Sequence, residues 1–298
     1  MIKVSVLLSL YSCEKYLNRY FQNALNQKSI EKIEFSIVHN QPSVIEKQIV
    51  GKFKSKLNII YKEVEREPLY KSWNRAIMQS TGEYLVCWNV DDLREKDSID
   101  RMINLLDKNP NIGFTYGDII IVKKFGLEVG QYVKTPQYNF HLGTTGAIGG
   151  PFFMWRRNLI SKVGYFDEQF ISGGDFDYTV RLSIFGKGQK TSGLIGYFLN
   201  EKLGLSTKNN YVQILEREVI LRRYGVWNKT NLFFNSKIKS YKLNTIKEFD
   251  KLRELNLEIQ NLINYRKKNK VYIYLNTIKE QTILILQRIK RIISFESF

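Results

Sequence analysis

Two clusters of side chains in this sequence have the types and spacing for chemistry. The first is Asn89-Val90-Asp91-Asp92, directly after the apolar run Glu83 to Trp88. Neighbouring carboxylates at a strand tip repel each other unless a cation sits between them. Mg2+ or Mn2+ takes oxygen ligands, often one or two carboxylates plus phosphate oxygens. The competing reading is a solvated loop in which Asp92 or Asp97 caps the next helix. The second cluster is Gly173-Gly174-Asp175-Phe176-Asp177, with Arg181 six residues after Asp175. Asp175 opens a helix, where it serves either as a cap or as a general base facing a cleft.

The elements that position these residues follow from hydrophobic spacing. Val4 to Leu10 reads as a buried parallel strand, with Ser12 capping a helix that carries Leu17, Tyr20, Phe21, Ala24 and Leu25. Ile33 to Val38 is a second strand, a charged helix from about Val44 leads to a third around Asn58 to Tyr61, and Leu69 to Gln79 is helical. Gly82 ends that helix before the fourth strand, and Asp97 caps a helix running to Lys108. Such alternation builds βαβ units and a mostly parallel sheet, whose ligands bind at the carboxyl ends of the strands. Tyr11, His39 and Asp91 with Asp92 then share one rim. Residues 111–155, rich in glycine, threonine and aromatics, read as short strands and turns.

Composition narrows the classes. With 298 residues, 43% hydrophobic and 25% charged, the chain can bury a substantial core. Lys and Arg number 46 against 29 Asp and Glu, a formal charge of +17, which favours an anionic partner unless it reflects lysine-biased composition. Two cysteines cannot form a disulfide framework, and with only two histidines beside them a structural zinc site is excluded on ligand count. No run of about 20 apolar residues marks a membrane-spanning helix. The expected setting is cytoplasmic and reduced. After Gly225 glycine disappears and residues 226–298 read as a basic helical tail, set apart from a domain over 1–225. The tail carries a seam of Leu252, Leu255, Ile259 and Leu262, which packs within the chain or between two copies. Its terminal stripe of Ile285, Leu286, Ile289, Ile292 and Ile293 lies among Arg288, Lys290 and Arg291, a pattern suited to an anionic membrane surface or to packing on protein.

Together the motifs resemble a family. Val4 to Tyr11 followed by Lys15-Tyr16-Leu17, Gly82-Glu83-Tyr84-Leu85 followed by Asn89-Val90-Asp91-Asp92, and Gly164-Tyr165-Phe166-Asp167-Glu168 followed by Gly174-Asp175 through Arg181-Leu182 are similar to the family-2 glycosyltransferases over residues 3–207. The resemblance implies an α/β chain of GT-A fold: a Rossmann-like, mostly parallel sheet flanked by helices, here with a C-terminal helical extension. It implies inverting transfer of a sugar from a nucleotide-sugar donor to a hydroxyl of a glycan or lipid-linked acceptor. By position, Asp175 matches the catalytic base, Asp91 the metal ligand with Asp92 beside it, and Tyr11 the aromatic residue near the base of the nucleotide. Asn74 and Asn89 match further donor-binding positions, and His39 falls on the rim as a donor contact.

The text departs from the family where Val38-His39-Asn40-Gln41-Pro42-Ser43 replaces Val-Asp-Asp-Gly-Ser, where Trp73 replaces an Arg, Asn89 an Asp and Gly174 a Glu. A metal-linked His of some members would fall near Asn200 or Glu201. The departures leave two other readings, a non-catalytic sugar-nucleotide-binding relative and a basic nucleic-acid-binding protein. The second lacks any helix-turn-helix, RNP or zinc-finger text.

Overall fold

The structure, a computed structural model, describes residues 2–145, 152–201, 210–224 and 254–268. The first strands are apolar on both faces because both faces are covered: β1 (Val4–Leu10) and β2 (Ile33–Asn40) are buried almost throughout. They pair in parallel with each other, with β3 (Asn58–Val64) beyond β2 and β4 (Tyr84–Cys87) beyond β1. The sheet continues through β5 (Leu93–Arg94), β6 (Ile112–Val122), β7 (Gln131–Val133), β8 (Met154–Arg156) and β9 (Lys187–Leu199). Its order is β3-β2-β1-β4-β8-β6-β9-β5, with β7 attached to β6. Pairing turns antiparallel at β4 with β8 and at β8 with β6, then parallel again at β6 with β9. The GT-A arrangement expected from the sequence is present, with a parallel half over β1 to β4 and a mixed half beyond β4.

Helices α1 (Glu14–Leu25), α2 (Val44–Lys54) and α4 (Ser98–Lys108) bury their apolar residues in one core with β1, β2 and β4. Leu17, Tyr20, Phe21 and Ala24 of α1 recur at helical spacing because that face meets the sheet. Helix α3 (Leu69–Gln79) packs on β1 and β2. The chain goes on through α5 (Phe140–Thr145), α6 (Ile160–Val163), α7 (Gly174–Phe185) and α8 (Asn210–Arg223). It divides into compact units 1–253 and 254–298, and α9 (Leu255–Lys268) belongs to the second. The expected boundary near Gly225, Leu252 of the seam and the stripe from Ile285 to Ile293 lie outside the described residues. No helix among the described residues is long and apolar enough to cross a membrane.

Three local expectations change. Ser12 does not cap α1: the N-cap is Cys13, and Ser12 sits in the left-handed region at φ 46°. The capping oxygen comes from another element, since Glu46 of α2 accepts the Cys13 amide at 2.7 Å. Asp97 occupies the N-cap of α4 without a cap bond, and its carboxylate pairs with Arg101 at 3.1 Å. Residues 112–122 form one long strand rather than short pieces, because β6 is paired on both edges.

Gly82, expected to end α3, lies two residues past its C-cap Ser80 and serves a close approach to β1 instead. A Cβ there would lie 2.6 Å from the Ser5 amide nitrogen and 2.8 Å from the Val4 carbonyl carbon. Its own amide donates to Ser5 Oγ at 2.8 Å and Glu34 Oε1 at 3.1 Å. Burial pushes the Glu34 carboxyl up, but bonds from Ser5, Thr81 and Gly82 outweigh it and hold it below the ordinary range. Gly82→Ala is therefore expected to lower stability by ~1–3 kcal/mol in urea unfolding. Gly51→Ala, in an open position on α2 with nothing within 4 Å, should instead raise it by roughly 0.5–1 kcal/mol. Equal effects would remove the close-approach argument.

Candidate active site

The carboxyl ends of β1, β2 and β4 form the rim, and the structure sorts the expected residues into open and closed. Tyr11 is open, with 43% of its surface exposed. The Arg66 guanidinium lies over its ring at 4.0 Å and donates to its hydroxyl. Arg66 has no counterpart in the sequence reasoning and no local signal to mark it.

His39 is closed. Its ring is wholly buried, with Nδ1 on the Tyr61 hydroxyl at 2.9 Å and Nε2 3.5 Å from Glu46 Oε2. The expected donor contact is thus corrected, since β2 turns this side chain inward among Tyr61 and Glu46. Asn40 beside it is also buried, donating to Ser72 Oγ at 3.1 Å and accepting from the Glu67 amide at 2.9 Å. Gln41 then turns the chain in the left-handed region at φ 44°. Asn74 is corrected as well. Its Nδ2 donates to the Phe166 carbonyl and to Glu168 Oε1, each at 2.9 Å, and its Oδ1 accepts the Phe166 amide at 2.9 Å. The whole amide is committed to holding residues 166–168. Trp73 packs against Tyr70 and Phe166 at 5.5 and 5.1 Å between ring centroids, so an aromatic box occupies the place of the family's arginine. Arg156 and Arg157 bond backbone carbonyls of Ile112 and Gly82 rather than facing the rim.

After β4 the two aspartates part company. Asp92 is 1% exposed, accepts the Leu199 amide at 3.1 Å through Oδ1, and meets Asn89 Nδ2 at 3.4 Å through Oδ2. It ties the loop to β9, and burial with the Asp91 charge pushes its carboxyl well up. Asp91 is half-buried on the open side. Burial, then the charge of Glu201, raises its carboxyl above the usual range, while Lys15 pulls it down. Glu201 follows β9, where the resemblance puts a histidine of some members, and takes Lys15 Nζ and the Tyr16 hydroxyl at 3.2 Å. Like charges gathered with hard oxygen donors fit Mg2+ or Mn2+, with Asp91 and Glu201 as the available donors and Asp92 as support behind them.

Asp175 lies in the first turn of α7, near the end of β4, where burial and then the Asp175 charge raise the Cys87 thiol. Burial raises the Asp175 carboxyl to about 6, offset in part by the Phe176 amide at 2.8 Å and the Tyr70 hydroxyl. Glu216 of α8 fixes where α7 begins: it accepts Ile171, Ser172 and Gly173 amides at 2.7, 2.9 and 2.7 Å. Asp177 is buried on Arg181 Nε at 2.8 Å and the Tyr224 hydroxyl at 2.8 Å. Glu216 lies past the stretch of family resemblance, and Tyr70 was also missed.

Tyr70 explains the absent glutamate at position 174. A Cβ on Gly174 would lie 2.7 Å from two ring atoms of Tyr70, so the ring fills the space a side chain would need. Gly174→Ala should lower stability by ~1–3 kcal/mol, and Tyr70→Ala combined with it should show less than the sum of the two single losses. Strict additivity in urea unfolding would refute this coupling.

Known proteins share this architecture. The crystal structure of residues 1–349 of S. aureus TarS in complex with UDP-GlcNAc superposes with a TM-score of 0.61 at 18% identity, covering 74% of this chain and 66% of that one. The mannosyltransferase PcManGT from Pyrobaculum calidifontis in complex with GDP-Man and Mn2+ gives 0.52 at 16% identity, covering 74% and 61%. In sequence, the chain is 24% identical over 180 residues to the poly-beta-1,6-N-acetyl-D-glucosamine synthase of Staphylococcus epidermidis, covering 57% of this chain. It spans only 43% of that relative's length. Residues 5–164, just over half of the chain, match the profile of Glycosyl transferase family 2, and with the rim and fold described above, the chain belongs to that family.

Proposed function

We propose that this glycosyltransferase transfers a sugar, with inversion, from a nucleotide-sugar donor to a hydroxyl of a glycan or lipid-linked acceptor, and that Asp175 is its base. The observation that carries the reading is the Asp175 carboxyl, raised to about 6 at the start of α7 and near the strand end from which Asp91 emerges. Such a group is ionised at neutral pH yet basic enough to take a proton. In the proposed step the acceptor hydroxyl gives its proton to Asp175 while its oxygen bonds the anomeric carbon. The bond from that carbon to the diphosphate breaks, and its electron pair leaves with the nucleoside diphosphate. Asp91, with Glu201 beside it, would hold a divalent cation. When bound, such an ion neutralises charge on the diphosphate. Tyr11 offers its exposed ring to the base. TarS was solved with UDP-GlcNAc, which makes UDP-sugars the first donors to test. The peripheral-membrane and cytoplasmic setting is proposed on the tail's sequence alone.

Two experiments test the roles. Asp175→Asn keeps the shape but cannot take the proton, so kcat should fall ~10²–10⁴-fold with donor affinity unchanged. In the wild type kcat/KM should decline as pH falls through about 6. A folded-state value above the unfolded one means that protonation favours the fold on the acid side, and that the ionised form opposes it above about 6. The asparagine variant should therefore melt no lower than wild type at pH 8. Loss of donor binding along with rate would place Asp175 on the donor instead.

Asp91→Ala addresses the cation. It should abolish Mn2+-dependent donor binding in calorimetry while the circular dichroism spectrum stays unchanged. Retained metal dependence in that variant would move the ion elsewhere.

A further inference from the structure

Behind Tyr11, the ends of β1 and β2 enclose three groups that the proposed reaction does not use. Cys13, His39 and Glu46 are 1%, 0% and 3% exposed. Their sulfur, nitrogen and oxygen ligand atoms lie within 4.8 Å of one another. Cys13 Sγ is 3.4 Å from Glu46 Oε1, and His39 Nε2 is 3.5 Å from Glu46 Oε2. Tetrahedral zinc, with Zn–S of about 2.3 Å and Zn–N or Zn–O of about 2.0–2.1 Å, separates neighbouring ligand atoms by roughly 3.3–3.5 Å. The two measured separations are close to that size, one to each oxygen of Glu46.

The surroundings are built as a metal site requires. His39 Nε2 is buried and has no hydrogen-bond partner, while Nδ1 bonds the Tyr61 hydroxyl at 2.9 Å. With the proton on Nδ1, the Nε2 lone pair faces Glu46 and Cys13, the arrangement found for histidine ligands. Glu46 is already oriented by the Cys13 amide at 2.7 Å and the Ser43 amide at 2.9 Å. We propose that Cys13, His39 and Glu46 form a Zn2+ site, separate from the oxygen site at Asp91, that staples the turn after β1 to the turn after β2. A thiolate, a carboxylate and a neutral imidazole balance Zn2+ to zero net charge, which burial favours. The thiol proton leaves to solvent as the metal–sulfur bond forms. Sulfur selects zinc over Mg2+ and Mn2+. A count of Cys and His alone excluded zinc from the sequence, because the third ligand is a glutamate.

Ser12 and Gln41, non-glycine residues in the left-handed region at φ 46° and 44°, lie just before Cys13 and just after the end of β2 that carries His39. The ion would thereby hold the turns that present Tyr11.

The test uses the full chain from cells grown with Co2+ in place of Zn2+, washed with EDTA to strip an open oxygen site. About one cobalt per chain is expected, with a thiolate-to-cobalt charge-transfer band in the near ultraviolet. Both should persist in Cys87→Ser and Asp91→Ala and be lost in Cys13→Ser and His39→Ala. Cobalt retained without a thiolate band in the wild type, or no cobalt at all, overturns the proposal whether or not the variants fold. A band that survives Cys13→Ser overturns it equally.

Discussion

The Glu216 carboxylate, brought in by α8, accepts three consecutive backbone amides at the entrance to α7. Hydrogen bonds to a charged partner contribute about 1.5–3 kcal/mol each, and without the partner the buried Gly173 amide would be orphaned. The start of α7, and with it Asp175, is therefore set by a residue from a different helix. The same pair of helices shares a buried ionic group. Asp177 holds Arg181 and the Tyr224 hydroxyl, and Arg223 reaches Asp167 at 2.9 Å. Arg181 in turn donates to the Val163 and Tyr165 carbonyls, so the loop ahead of α7 is fixed from the same centre. Residues 210–224 are thus part of the framework that positions Asp175, although the family profile ends at residue 164.

Around the rim, polar side chains divide into those used by the protein and those left for a ligand. Asn40, Asn74 and Asp92 spend their hydrogen-bonding capacity on neighbouring loops. Tyr11 is exposed and Asp91 and Asp175 are only partly buried, although the Tyr11 hydroxyl takes Arg66 and Asp175 takes the Phe176 amide. The division follows from burial: a group wholly inside must be satisfied by the protein itself. Asp91 and Asp175 both have raised carboxyls, and burial is the first cause for each. The like charge of Glu201 acts on Asp91 and that of Glu216 on Asp175, so each open carboxylate has a second acid behind it.

Much of the fold was legible because it rests on local periodicity. The first, second and fourth strands, α1 and α3 were placed to within a residue or two and the third strand to within three, since their apolar residues recur with the period of the element and are buried or half-buried. Motif spacing put Asp91 after the fourth strand and Asp175 at a helix start, where the structure has them. His39 and Asn74 were misread because position along the chain says where a residue sits and not which way it turns. At the end of β2 the ring goes inward to Tyr61, and on α3 the Asn74 amide goes to Phe166. Tyr70, Arg66 and Glu216 were invisible for a related reason. Each acts on a partner far along the chain, as Arg66 does on Tyr11 and Glu216 on Gly173, and no local pattern records such meetings.

The stack of Arg66 on Tyr11 gives the free enzyme an internal occupant at the ring. A planar ligand arriving there does not meet bare surface. It either displaces the guanidinium, giving up a cation–π contact of about 0.5–1 kcal/mol at an exposed site, or slides against the outer face of Arg66 and uses it as a second plate. In the first case the intrinsic affinity is discounted by the fraction of molecules whose arginine has swung away. In the second, the arginine becomes half of a clamp whose positive charge favours electron-rich rings and nearby phosphates. Either way, a planar ligand at Tyr11 would meet an arginine already in place on the ring.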